Sequence, residues 1–141
     1  MNRPLPTLEN LYNTYSPMLY GIALEISPAQ KEAEEILIST FHKIYKQNLL
    51  QQAHPSLCAT LIKLIIRTAH EQLNSTQLKN NFTLKQFEST PLLHKLLFEQ
   101  ISLEKYGEEN ELTRAEVAKR IREEFILLRN LKEKDVAYLF Q

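Results

Sequence analysis

A chain of 141 residues with 43% hydrophobic and 24% charged side chains carries enough apolar material for one packed core, which excludes a disordered tail. Its 17 Lys and Arg balance 17 Asp and Glu, so no overall positive field drives sequence-independent attachment to nucleic acid. The single cysteine, Cys58, cannot close an intramolecular disulfide and lies in an apolar run, as a small core residue in a reducing compartment does.

The opening MNRPLPTLENLYN lacks the continuous apolar stretch of a secretory signal. No later run reaches the roughly 18 uninterrupted apolar residues of a membrane span. A soluble, cytoplasmic protein without a membrane segment is therefore expected. Only two glycines, Gly21 and Gly107, occur, which leaves no phosphate-cradling loop and favours helices joined by polar connections.

The first stripe, Leu8, Leu11, Tyr12, Tyr15, Leu19 and Ile22, recurs at spacings of three and four and predicts a helix over 8–26 with Thr7 as cap. Pro17 lies inside it, so a kink or restart is expected there. Ser27-Pro28 with Gln30 three residues after the serine reads as a capping-box start for a second helix over 28–47. That helix buries Ala33, Ile36, Leu37, Thr40, Phe41 and Ile44 and ends in the polar QNLLQQAHP loop.

A third helix is expected over 56–74, with Leu57, Leu61, Leu64, Ile65, Thr68 and Leu73 inward and Ile62, Ile66 and Ala69 widening the stripe. Residues 75–90, rich in Asn, Ser and Thr, read as a connector anchored by Phe82 and Phe87. Thr90-Pro91 opens a fourth helix over 91–105 through Leu92, Leu93, Leu96, Leu97 and Ile101, closing before Gly107. Thr113 and Glu116 form a capping box, with Leu112 and Val117 as its hydrophobic staple. The fifth helix, over 114–131, then buries Ile121, Phe125, Leu128 and Leu131. The fold class is all-α, divided into a helical domain over 1–74, the connector over 75–90 and a C-terminal helical lobe over 91–141.

The segment LYNTYSPMLYGIALEISPAQKEAEEILISTFHKIY, residues 11–45, resembles region 2 of bacterial RNA polymerase sigma factors of the extracytoplasmic-function type. Leu11, Tyr12, Tyr15, Pro17, Leu19 and Tyr20 match that family's first helix, and Ala33, Glu34, Glu35, Thr40 and Phe41 its second. Further on, ATLIKLIIRTAHEQLN is similar to its third helix through Ala59, Leu61, Lys63, Ala69, Glu71 and Leu73. The resemblance covers roughly half of the chain and implies a transcription initiation protein that binds core RNA polymerase. Glu34 and Glu35 inherit the role of docking the polymerase clamp helices, and the third helix that of holding melted promoter DNA.

Departures bear on the second role. The family's glutamine falls at Ile38, its tryptophan at Thr60 and its terminal arginine pair at Asn74 and Ser75. Single strands are held by cations along the phosphates and aromatic platforms under the bases, and here Lys43, Lys46, Lys63 and Arg67 are the cations left. The segment ENELTRAEVAKRIREEFILLRNL resembles the first helix of the family's C-terminal helix-turn-helix, through Thr113, Glu116, Val117, Ala118 and Ile121. It runs on as a charged helix without the expected turn and recognition helix. Intrahelical pairs account for Glu116, Glu123 and Glu124 beside Arg114, Lys119, Arg120, Arg122 and Arg129. This lobe is expected to pack on the first rather than enter a groove. The second functional reading is a sigma-like interaction module that has lost promoter recognition and binds a regulatory protein partner.

Histidines 42, 54, 70 and 94 are scattered, none follows Glu at the Glu-x-x-His spacing, and no Cys/His cluster has metal-ligand spacing. His70 and Glu71, adjacent on a helix, diverge by about 100° and make no acid–base pair. Tyr12, Tyr15 and Tyr20 are expected in the core. No enzyme, cofactor or metal is expected.

Overall fold

The computed structural model describes residues 7–54, 56–73, 87 and 90–130. Helix α1 spans Leu8–Ile26, α2 Gln30–Lys46 and α3 Leu57–Gln72, with a 3-10 turn at Leu49–Gln51. Helices α4 (Pro91–Leu97), α5 (Leu103–Asn110) and α6 (Arg114–Asn130) complete the order, and no strand occurs among the described residues, so the protein is all-α.

The Thr7 hydroxyl accepts the Asn10 N–H at 3.1 Å and starts α1. The helix continues through Pro17, where the sequence suggests a restart. Proline withholds one helical hydrogen bond, at about 3 kcal/mol inside a helix. Met18, Leu19, Ile22, Ala23 and Ile26, all buried beyond it, offset that cost through packing.

Ser27 is not the cap of α2. Its N–H closes α1 on the Ala23 carbonyl (2.9 Å), and its buried hydroxyl has no partner among the described residues. The cap position of α2 falls to Ala29 without a side-chain bond, and Gln30 bonds Glu34 instead (3.1 Å). Only residues 27–29 separate the two helices, so Ser27 is held by the end of the first and cannot serve the start of the second. The six inward positions expected for α2 are all buried.

Ser56 caps α3 through the Ala59 N–H (3.2 Å), and Cys58 is buried, with burial pushing its thiol up to about 12. The fourth predicted helix is two helices. Gln100 takes a left-handed φ of 55°, and the Ile101 N–H turns back to the Lys95 carbonyl, which ends α4. The Ser102 hydroxyl accepts the Lys105 N–H (3.0 Å) and starts α5. Gly107 lies inside α5 rather than beyond its end, because the chain folds back there: a Cβ would stand 2.8 Å from the Leu112 carbonyl oxygen.

The Thr113–Glu116 capping box is present in both directions. Glu116 accepts the Thr113 N–H (3.0 Å) and Thr113 accepts the Glu116 N–H (3.2 Å), bonds that hold the Glu116 carboxyl below its usual range.

Helix α1 is the hub, packed against α2, α3 and α6, while α4 touches both α3 and α6. One hydrophobic cluster runs from Leu11 to Leu128 and includes Phe87. Apart from Phe87 and Thr90, the connector over 75–90 lies outside the described residues, as do Asn74, Phe82 and Leu131. At Gly21, on the side of α1 that faces α6, an added Cβ meets only the Arg122 side chain, at 3.6 Å or more. Gly21→Ala is therefore expected to stabilise the fold by about 0.5–1 kcal/mol, the helix-propensity difference, as read by urea unfolding.

Candidate protein-docking groove

The outer seam between α1 and α2 forms an open groove of about 420 Å³ lined by Tyr12, Ser16, Pro17 and Tyr20 from one helix and Glu34, Leu37 and Ile38 from the other. Glu34, Ile38 and Tyr45 recur at four and seven residues, which keeps them within about 40° of one another on α2. This stripe lies beside the buried one, so Ile38 and Tyr45 are each 69% exposed. Across the seam, Tyr12 is 47% exposed and sets its ring edge-on to Phe41, centroids 4.9 Å apart.

Tyr12 and half-buried Tyr20 thus form the wall of a groove, where their spacing suggests core positions; only Tyr15 of the three is buried. Glu34 lines the groove at the Tyr20 end, exposed and accepting from Gln30. Glu35 is exposed but is not among the lining residues, since one residue along a helix turns the side chain by about 100°. Of the two glutamates that the resemblance singles out, Glu34 lines the seam and Glu35 does not. Ile38, which stands where the sigma family has glutamine, is an exposed apolar residue of the groove; its signal in the sequence is an isoleucine off the buried stripe.

The four candidate cations do not stand equally free. The Lys43 ammonium joins the Thr68 hydroxyl and the Glu71 carboxylate, tying α2 to α3. Lys43 thus already has a carboxylate partner, which a phosphate contact would have to displace. Lys46 is exposed one turn further along α2; Lys63 is half-buried and Arg67 exposed, one turn apart on α3.

A second cavity of about 480 Å³ lies where α1, the start of α3, α5 and α6 meet. Arg114 places its guanidinium 5.1 Å from the Tyr15 ring centroid and 3.8 Å from a Glu104 oxygen. Burial pushes both the Tyr15 phenol and the Cys58 thiol up to about 12, so the cavity presents neutral groups beside a half-exposed ion pair. His54 at its edge is fixed between the Leu49 carbonyl (2.7 Å) and the Thr60 hydroxyl (3.3 Å).

No group of three or more His, Cys, Asp or Glu residues able to hold a metal occurs among the described residues. None of the described helices is long and apolar enough to cross a membrane. In comparisons with known proteins, no family model, no curated protein and no solved structure matches the chain.

Proposed function

We propose that this protein is a sigma-region-2-like helical module that binds core RNA polymerase, its α1/α2 groove receiving an amphipathic helix of the polymerase clamp. The observation that carries the reading is the pairing of exposed Ile38 and Tyr12 with Glu34 at one end of the same groove. An amphipathic helix offers a row of apolar side chains at spacings of three and four, and a basic residue at its end would meet Glu34. The partner class comes from the resemblance of residues 11–45 to sigma factors.

Binding of promoter DNA is the weaker half of this reading. Lys43 is held by Glu71 and Thr68, which leaves Lys46, Lys63 and Arg67 to meet phosphate. The alternative, a regulatory protein on the same groove, uses the same contacts and differs only in the partner.

The test is a binding titration against core RNA polymerase with single substitutions. Ile38→Asp and Glu34→Lys are each expected to weaken binding by at least about tenfold, equivalent to 1.4 kcal/mol. Glu35→Lys should have a smaller effect, and Glu123→Lys, exposed on α6, none. Helicity should be unchanged in all four. Lack of affinity in the unsubstituted protein, or equal losses from Glu34→Lys and Glu123→Lys, would refute the assignment.

A further inference from the structure

The Ser102 cap sets Leu103 and Glu104 in the first turn of α5, and the Thr113–Glu116 capping box sets Arg114 at the start of α6. Between the two helices Glu111 takes a left-handed φ of 55° and turns the chain back, so that the Arg114 guanidinium comes within 3.8 Å of a Glu104 oxygen. That gap exceeds the roughly 2.7–2.9 Å of a charge-assisted hydrogen bond. Neither side chain is closed off by the other, and both are more than half exposed. The Tyr15 ring, 5.1 Å from the guanidinium, holds the cation in place.

Both side chains line the cavity of about 480 Å³ where α1, α3, α5 and α6 meet, together with the apolar Leu11, Leu57, Cys58 and Leu103. Small-molecule sites occupy roughly 300–1,000 Å³ and combine apolar walls with a few convergent polar groups. Burial keeps Tyr15 and Cys58 neutral, and the His54 ring is engaged by the Leu49 carbonyl and the Thr60 hydroxyl. Arg114 and Glu104 are therefore the two charges that a ligand meets among the described lining residues. Their signs restrict its class. A simple carboxylate on Arg114 would be repelled by Glu104, and by Glu108 and Glu111, which line the adjoining recess. A simple amine on Glu104 would be repelled by Arg114. A zwitterion satisfies both charges, and in an α-amino acid the ammonium nitrogen and carboxyl carbon are about 2.5 Å apart, set by the N–Cα and Cα–C bonds. One such molecule spans the pair once Glu104, 61% exposed, rotates outward.

We propose that this cavity binds a free α-amino acid with a branched or aromatic apolar side chain: its carboxylate on Arg114, its ammonium on Glu104, and its side chain against Leu11, Leu57 and Leu103. The carboxylate gains the planar fork of the guanidinium, which the 3.8 Å contact with Glu104 leaves unfilled. The cavity shares no lining residue with the α1/α2 groove, so this assignment is independent of the polymerase reading.

The experiment titrates the isotope-labelled full chain with L-leucine and L-phenylalanine and follows backbone amide shifts by NMR. Saturable shifts are expected at Thr14, Leu57, Ser102 and Arg114, with Glu34 and Ile38 unmoved. Arg114→Gln and Glu104→Gln are each expected to weaken binding by at least about tenfold. Glu123→Gln, exposed on the same helix as Arg114, is expected to leave it unchanged. All three positions are exposed, so helicity and melting should match those of the unsubstituted chain.

A second measurement needs no substitution. Isocaproate, which is L-leucine without its ammonium, and isoamylamine, which is L-leucine without its carboxylate, are each expected to bind at least about tenfold more weakly than L-leucine. Absence of saturable shifts with both amino acids up to about 10 mM overturns the site. Shifts centred on Glu34 and Ile38 overturn it as well. Affinity of either analogue equal to that of L-leucine overturns the zwitterion assignment, and so does an equal loss of binding in Glu123→Gln and Glu104→Gln.

Discussion

Phe125→Ala is expected to lower the unfolding free energy by about 3–5 kcal/mol, the range for deleting a fully buried aromatic ring that leaves a cavity. The Phe125 ring is 1% exposed and sits edge-on to Phe87, centroids 5.4 Å apart with planes at 70°. It joins three parts of the chain: α6, which carries it; α1, against which α6 lies; and the segment before α4, which brings in Phe87. Total stabilities of single domains are about 5–15 kcal/mol, so this one change removes a large share.

Urea unfolding followed by circular dichroism measures the effect. Leu127→Ala, two positions away and 54% exposed, is expected to stay within about 0.5 kcal/mol. If Phe125→Ala cost no more than Leu127→Ala, the continuous core from Leu11 to Leu128 would not be a cooperative unit.

Helix existence and inward faces were legible in the sequence where a helix was long and its stripe unbroken. All six inward positions of α2 and the full stripe of α3 from Leu61 to Ala69 lie where the spacing puts them. Boundaries set by distant parts of the chain were not legible. Ile101 extends the Leu97 stripe by four residues and so mimics a continuing helix, yet left-handed Gln100 breaks the backbone between them. Nothing in residue type marks Gln100 for that conformation, since neither glycine nor asparagine stands there.

The groove was legible in part. Glu34 was singled out by the resemblance, whereas Ile38 and Tyr45 had a purely physical signal: apolar residues seven apart on the polar side of an amphipathic helix. Tyr12 reads as a core residue because it falls between Leu11 and Tyr15 in a broad stripe. The ring of Phe41 beneath it occupies the space a buried tyrosine would need.

Glu124 shows the other limit of local reading. Its spacing to Arg120 suggests an ordinary intrahelical pair, but its carboxylate caps α4, accepting the N–H groups of Leu92 (2.9 Å) and Leu93 (2.7 Å) from across the fold. Pro91 has no N–H and Thr90 makes no side-chain cap, so this one carboxylate serves the first turn of a seven-residue helix. Four leucines of that helix, Leu92, Leu93, Leu96 and Leu97, are buried and depend on the turn being formed.

Glu124→Ala leaves two partly buried donors unpaired, at about 1–3 kcal/mol for a buried unsatisfied group, and a total loss of roughly 2–4 kcal/mol is expected. Glu124→Gln retains one carbonyl acceptor and turns an amide donor toward the second N–H, so its loss should be intermediate. The pH dependence carries the diagnosis. Burial raises the Glu124 carboxyl above its ordinary value of 4.5, with the two N–H bonds pulling the other way without overcoming it.

A folded-state value above the unfolded one means that the native protein holds this proton more tightly. The corresponding stability is fully present below the unfolded value and is lost as pH rises through the folded one. Other carboxylates titrate in the same window, but they are common to the unsubstituted protein and to Glu124→Gln, so the difference between the two isolates this group. The advantage of the unsubstituted protein over Glu124→Gln is expected to be greatest near pH 4 and to narrow as pH rises above 4.5. Urea unfolding of both proteins at a series of pH values reads this directly. An advantage that instead grew with pH would mean that the N–H bonds, and not burial, dominate the carboxyl's environment.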